Sequence, residues 1–133
     1  MRSEPSGLAG ERALDENDAL VGMALLSAGA AVIHAAVTRA HFGEWWLYGT
    51  FFAVAAAAQL IWTVLILRRP SRSLLIAGAV GNAIVVLLWL ITRVTGLPVG
   101  PEPWTPESFS LLDVAASVFE VALVITAVMM LRR

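Results

Sequence analysis

Residues 108–131 read SFSLLDVAASVFEVALVITAVMML, an apolar run interrupted by two carboxylates, Asp113 and Glu120. At ~1.5 Å per residue a helix over 108–131 crosses a hydrocarbon core of ~30 Å. Asp113 and Glu120 stand seven residues apart, two helical turns, so they share one stripe with Ser110 and Ser117. A charged side chain at the bilayer centre costs ~2.5–3.5 kcal/mol on insertion scales. Such a stripe turns towards protein, and the stretch reads as one helix of a bundle.

Working outward, three further apolar segments match it in length, at about 19–40, 44–67 and 73–95. Only helices or closed barrels satisfy the backbone inside lipid, and runs this long and uniform are helices. The chain has 133 residues, 59% hydrophobic and 14% charged, with a mean hydropathy of +0.79. Soluble domains carry roughly 25% charged residues. The predicted fold is all-α, a four-helix up-and-down transmembrane bundle over 19–133. Residues 1–18 are expected to form a polar acidic tail rather than a secretory signal.

Arginine placement predicts orientation. Arg2, Arg12, Arg68, Arg69, Arg72, Arg132 and Arg133 lie on one side of the bundle and only Arg39 and Arg93 on the other. The positive-inside rule puts both termini and the 68–72 turn in the cytoplasm, with loops 41–43 and 96–107 outside. All nine basic residues are arginine, and Ala, Val and Leu abound. That composition points to a GC-rich genome and to a bacterial cytoplasmic membrane. The outer loop carries Pro98, Pro101, Pro103 and Pro106, with Thr105 and Pro106 as the expected start of the fourth helix. It reads first as a stiff connector, second as a lid. Trp45, Trp46, Tyr48, Trp89 and Trp104 are expected to form an interfacial belt.

The remaining helices offer partners to the two acids. Counted inward, His34 matches Asp113 in depth, at ~9 Å, while Ser27, Gln59 and Asn82 match Glu120, at ~20 Å. The expected arrangement is an outer site of His34 and Asp113, with Arg93 either paired to Asp113 or reaching for the interface. An inner site would join Glu120, Asn82, Gln59 and Ser27. Asn82 and Gln59 also serve as ordinary interhelical glue. A metal ion with nitrogen and oxygen ligands would draw on His34, Asp113, Glu44 and His41, though no Glu-x-x-His or HExxH spacing supports it.

Several classes find no footing. There is no cysteine, hence no disulfide, thiolate metal site or Cys nucleophile. No serine elbow or glycine-rich phosphate loop is present, so no catalytic residue is assigned. A net charge of −1 gives no nucleic-acid footprint. Two functions remain. One is an outward-facing intramembrane site that binds a small ligand or metal ion or passes protons. The other is a non-catalytic accessory subunit, homo-oligomeric or part of a larger membrane complex, whose polar residues only specify packing.

Overall fold

The computed structural model describes residues 6–133. Among them the chain forms four helices, α1 (Ser6–Glu44), α2 (Trp46–Arg68), α3 (Arg72–Val94) and α4 (Leu111–Leu131). All four are long and apolar enough to cross a membrane. They run up and down, so one end of the bundle carries the 69–71 hairpin and the other the 95–110 loop. Outward faces are lined by Leu25, Val32, Val54, Ile61, Val80, Leu87, Val118 and Ile125, all exposed as lipid-facing side chains are.

Three boundaries differ from the sequence expectation. Helix α1 does not begin at residue 19 but extends back to Ser6. Residues 10–18 are solvent-exposed, as expected for an acidic tail, yet helical. Ala13, Leu14, Glu11, Arg12 and Glu16 are good helix formers, and Arg12–Glu16 is a favourable four-residue spacing. The rest of that tail, residues 1–5, lies outside the described residues. At the other end, 41–43 is not a turn: α1 continues to Glu44 and breaks only at Trp45, whose backbone is extended at φ −161° and ψ 136°. The sharp reversal brings the Phe42 ring onto Gly49, which has no room for a side chain. Helix α4 starts at Leu111, capped by Ser110, whose hydroxyl accepts from the Asp113 amide at 3.2 Å. Thr105 is therefore not its cap. The Glu107 amide instead donates to Thr92 O at 2.9 Å, which keeps the segment after Pro106 extended along the end of α3.

The four helices do not close evenly. Helix α1 packs along α2, α3 along α4 and α1 against α4, while α2 and α3 touch least. Their meeting point is at the hairpin end, where Trp62 Nε1 donates to Leu74 O at 2.8 Å. A Cβ on Gly78 would come within 2.5 Å of the Trp62 ring. Gly81, one turn on, has nothing near it. Gly78→Ala is thus expected to destabilise by about 1–3 kcal/mol through overpacking. Gly81→Ala should stabilise by up to ~1 kcal/mol through helix propensity. Thermal unfolding of the two variants in detergent gives opposite signs if Trp62 is the α2–α3 contact, and the same sign if it is not.

The hairpin half is solidly apolar. Leu20, Met23, Ala24, Trp62, Ile66, Ala79, Leu123 and Ala127 form one buried cluster. Above it, towards the loop end, α2 and α3 diverge and the interior turns polar.

Candidate functional site

Gln59 is the centre of the polar interior. Its Nε2 donates to Asn82 Oδ1 at 3.1 Å and to Glu120 Oε1 at 2.8 Å, and its Oε1 faces His34 Nδ1 at 3.0 Å. One side chain thus ties α1, α3 and α4 to α2. The amide's orientation follows from its neighbours. Asn82 Nδ2 is committed to Gly78 O at 2.8 Å, so Asn82 presents its oxygen to Gln59. Both Gln59 hydrogens then point at acceptors, and its own oxygen accepts a hydrogen bond from His34 Nδ1–H. The second imidazole nitrogen, Nε2, is left facing Glu120 Oε1 at 3.6 Å, a close approach rather than a hydrogen bond.

This fixed tautomer decides what the pair can do. With no proton on Nε2 or on the carboxyl, two lone pairs would face each other in a low-dielectric interior. With one proton, on either partner, the approach is attractive. His34 and Glu120 are 4% and 1% exposed. Together they form a buried pair of titratable groups that face each other across that approach. Below, Ser27 Oγ donates to Gln59 O at 3.0 Å, and Thr63 Oγ1 donates to the same oxygen at 2.8 Å.

Asp113 belongs elsewhere. Its Oδ2 accepts from Arg93 Nη2 at 2.6 Å, and Arg93 Nη1 reaches Glu107 Oε2 at 2.5 Å. The Arg93 side chain is 6% exposed. The expected outer pair of His34 and Asp113 is therefore not formed. Residue counting put His34 in the layer of Asp113, but its ring lies in the layer of Gln59 and Glu120, and the guanidinium of α3 takes Asp113 instead. Arg93 pairing with Asp113 was one of two expected positions. Its second partner, Glu107, carried no sequence signal, since an acid beyond Pro106 belongs to no helical period.

The four residues of the expected metal set do not come together. Among the described residues no three His, Asp or Glu side chains converge as around one ion. Asp113 is taken by Arg93, while His41 turns its Nδ1 to Val37 O at 2.9 Å. His41 is also separated from His34 by Phe52, whose ring lies 4.0 Å from one imidazole and 5.5 Å from the other. Glu44 ends α1 in solvent.

Between the two polar layers lies a cavity of about 210 Å³. His34, Ser117 and Glu120 reach its deep end, Phe51, Phe52, Val85, Leu88 and Trp89 its walls, and Arg93, Asp113, Leu97 and Val99 its mouth. The 95–110 loop is thus more than a connector, because it supplies part of the wall. Gly100, at φ 109°, sits where a Cβ would strike the Tyr48 hydroxyl, which brings the loop down onto α2. The aromatic belt is divided. Trp46 and Trp104 are exposed, whereas Trp45, Tyr48 and Trp89 face the cavity. Two buried N–H groups, Trp89 Nε1 and Arg93 Nε, have no hydrogen-bond partner among the described residues.

Comparison with known proteins does not supply a relative: no protein-family model, no curated protein and no solved structure matches the chain.

Proposed function

We propose that the protein is a small integral membrane protein that binds one small molecule in the cavity above the His34–Glu120 pair. The observation that carries this reading is a cavity with a polar floor and a sealed base. Below Glu120, towards the hairpin end, Met23, Ile66, Leu123 and Ala127 are fully buried. That apolar plug favours a pocket over a conduit for protons or ions. Buried ionisable residues in membranes mark functional sites more often than they serve packing, and a glue-only role does not call for an adjoining cavity.

Durene, an apolar single-ring molecule, tests this reading. In nanodiscs, durene at ten times its dissociation constant should add about 1.4 kcal/mol to stability. Ala116→Leu, which fills the cavity from α4, should abolish that gain without lowering the stability of the unliganded protein. If durene leaves the wild-type unfolding transition unchanged, the accessory-subunit reading takes over.

In this reading the hairpin end, with Arg68, Arg69, Arg72, Arg132 and Arg133, faces the cytoplasm, and the cavity opens outward. Because the chain has no cysteine, single-cysteine labelling reads sidedness directly. Pro103→Cys should react with an impermeant maleimide on intact spheroplasts and Ser71→Cys only after lysis. The reverse pattern inverts the topology.

A further inference from the structure

We propose, building on the reading of the cavity as a binding site, that its occupant is a small protonated amine with one ring, whose ammonium group donates to His34 Nε2 and Glu120 at the floor. Four observations converge on this class.

The floor comes first. With its Nδ1 proton given to Gln59 Oε1, His34 presents Nε2 as an acceptor. Glu120 Oε1 lies 3.6 Å from that nitrogen, and neither Nε2 nor Glu120 Oε2 makes a hydrogen bond among the described residues. Both residues are buried and reach the deep end of the cavity. Neighbouring acceptors with no donor between them call for a group with several N–H bonds, and an ammonium has them. The second is charge. Glu107, Asp113 and Glu120 line the cavity together with one arginine. Arg93 is held at the mouth by Asp113 and Glu107, and Glu120 meets no arginine among the described residues. A ligand ammonium neutralises Glu120 as a carboxylate and displaces the proton of Glu120 as an acid. An anionic ligand would instead share the cavity with all three acids.

The walls are the third. Trp45, Tyr48, Phe51 and Phe52 line the cavity, and the Phe52 ring centroid lies 5.5 Å from that of His34, beside the floor. Aromatic faces attract an ammonium within ~6 Å and also pack against a ligand's ring. The unpaired N–H groups of Trp89 and Arg93 are fully buried, so they present no donor to a ligand. Volume limits the ligand to one ring. A cavity of ~150 Å³ accommodates benzene, and this one is about 210 Å³. The fourth is the entrance. The cavity shares Tyr48, Arg93, Leu97, Glu107 and Asp113 with a wider recess at the loop end, to which Glu44 and Glu102 also contribute. The four carboxylates there stand against Arg93 and His41, an acidic excess that draws cations from the water towards the mouth.

The test uses three probes of one size. Benzylammonium, benzyl alcohol and benzoate share the ring and carry a positive charge, none and a negative charge. Binding to the full chain is measured at neutral pH by equilibrium dialysis in phosphatidylcholine nanodiscs, corrected for partition into empty nanodiscs. Benzylammonium is expected to bind on the order of tenfold more tightly than benzyl alcohol, because its hydrogen bonds are charge-assisted. Benzoate should bind most weakly. In Glu120→Gln the side-chain oxygen still accepts from Gln59 but the counter-charge is gone. Benzylammonium should then fall to the affinity of benzyl alcohol while durene binding persists. Benzylammonium that binds wild type no more tightly than benzyl alcohol or benzoate overturns the proposal, whether or not the variant folds, and durene binding then leaves the cavity reading standing. An undiminished ammonium preference in Glu120→Gln also overturns it. If neither durene nor benzylammonium binds, the cavity reading itself fails.

Discussion

Arg93→Met is expected to destabilise the protein by about 3 kcal/mol, the low end of the range for breaking a buried ion pair from one side. Among the described residues the guanidinium is the one cation at the loop end that holds two acids. Its Nη2 meets Asp113 at 2.6 Å on α4 and its Nη1 meets Glu107 on the loop. Removing it strands Asp113, which is only 17% exposed on its side chain, without a positive partner. The extended segment around Glu107 loses its side-chain anchor and keeps the backbone bond to Thr92 O. Two controls separate charge from packing. Arg93→Met/Asp113→Leu removes both charges and should regain most of the loss, because the penalty lies in the stranded charge rather than in the missing pair. Glu107→Gln should cost little, since Glu107 is 44% exposed on its side chain and water can replace the contact. Chemical unfolding of the variants in detergent micelles measures all three. A single variant no more destabilised than Glu107→Gln would mean that Asp113 finds water in the membrane and that the clamp is ornamental.

Gln59→Leu should be comparably damaging for a different reason. Leucine matches the side chain in bulk but deprives three buried groups of partners at once: His34 Nδ1, Asn82 Oδ1 and Glu120 Oε1. Each unsatisfied buried group costs ~1–3 kcal/mol, so the total should be at least about 3 kcal/mol. Asn82→Ala, which removes one spoke of the same hub, should cost about 1 kcal/mol. The informative contrast is Gln59→Glu. Shape is conserved, but a carboxylate oxygen now faces Asn82 Oδ1 and Glu120 Oε1 where an NH₂ group donated. This variant should be at least as unstable as Gln59→Leu. If Gln59→Glu folds as well as wild type, the amide is flipped relative to the arrangement described, and the tautomer assigned to His34 goes with it.

Much of this bundle was legible in the chain because its two main signals are local. Apolar length reports each span, and residue counting along a helix reports depth. Depth alone grouped Glu120, Gln59, Asn82 and Ser27, and the structure brings Gln59 onto Glu120, Asn82 and the Ser27 hydroxyl. What depth does not report is lateral choice. Counting residues puts His34 at the height of Asp113, yet its ring lies beside Gln59 and Glu120, while Asp113 is held by Arg93. That outcome depends on side-chain reach: the long Gln59 and Arg93 span distances that a helical count ignores. The uneven closure of the ring was likewise hidden. Helices α2 and α3 meet where the Trp62 ring lies on Gly78 and where Gln59 reaches Asn82, and a helical count does not report how closely they approach elsewhere. Helix α4 was placed too early because Thr105-Pro106 has good cap chemistry, while Ser110 caps the helix that forms.

The most direct test of the central claim is solid-state NMR of the ¹⁵N-histidine-labelled protein in bilayers containing protonated durene. The chain has two histidines, so a His34→Gln sample assigns both sets of ring signals. The account predicts magnetisation transfer from durene to the His34 ring and a shift of its Nε2 resonance, with a protonated Nδ1 throughout. Durene that correlates only with lipid chains and leaves His34 unperturbed would contradict it.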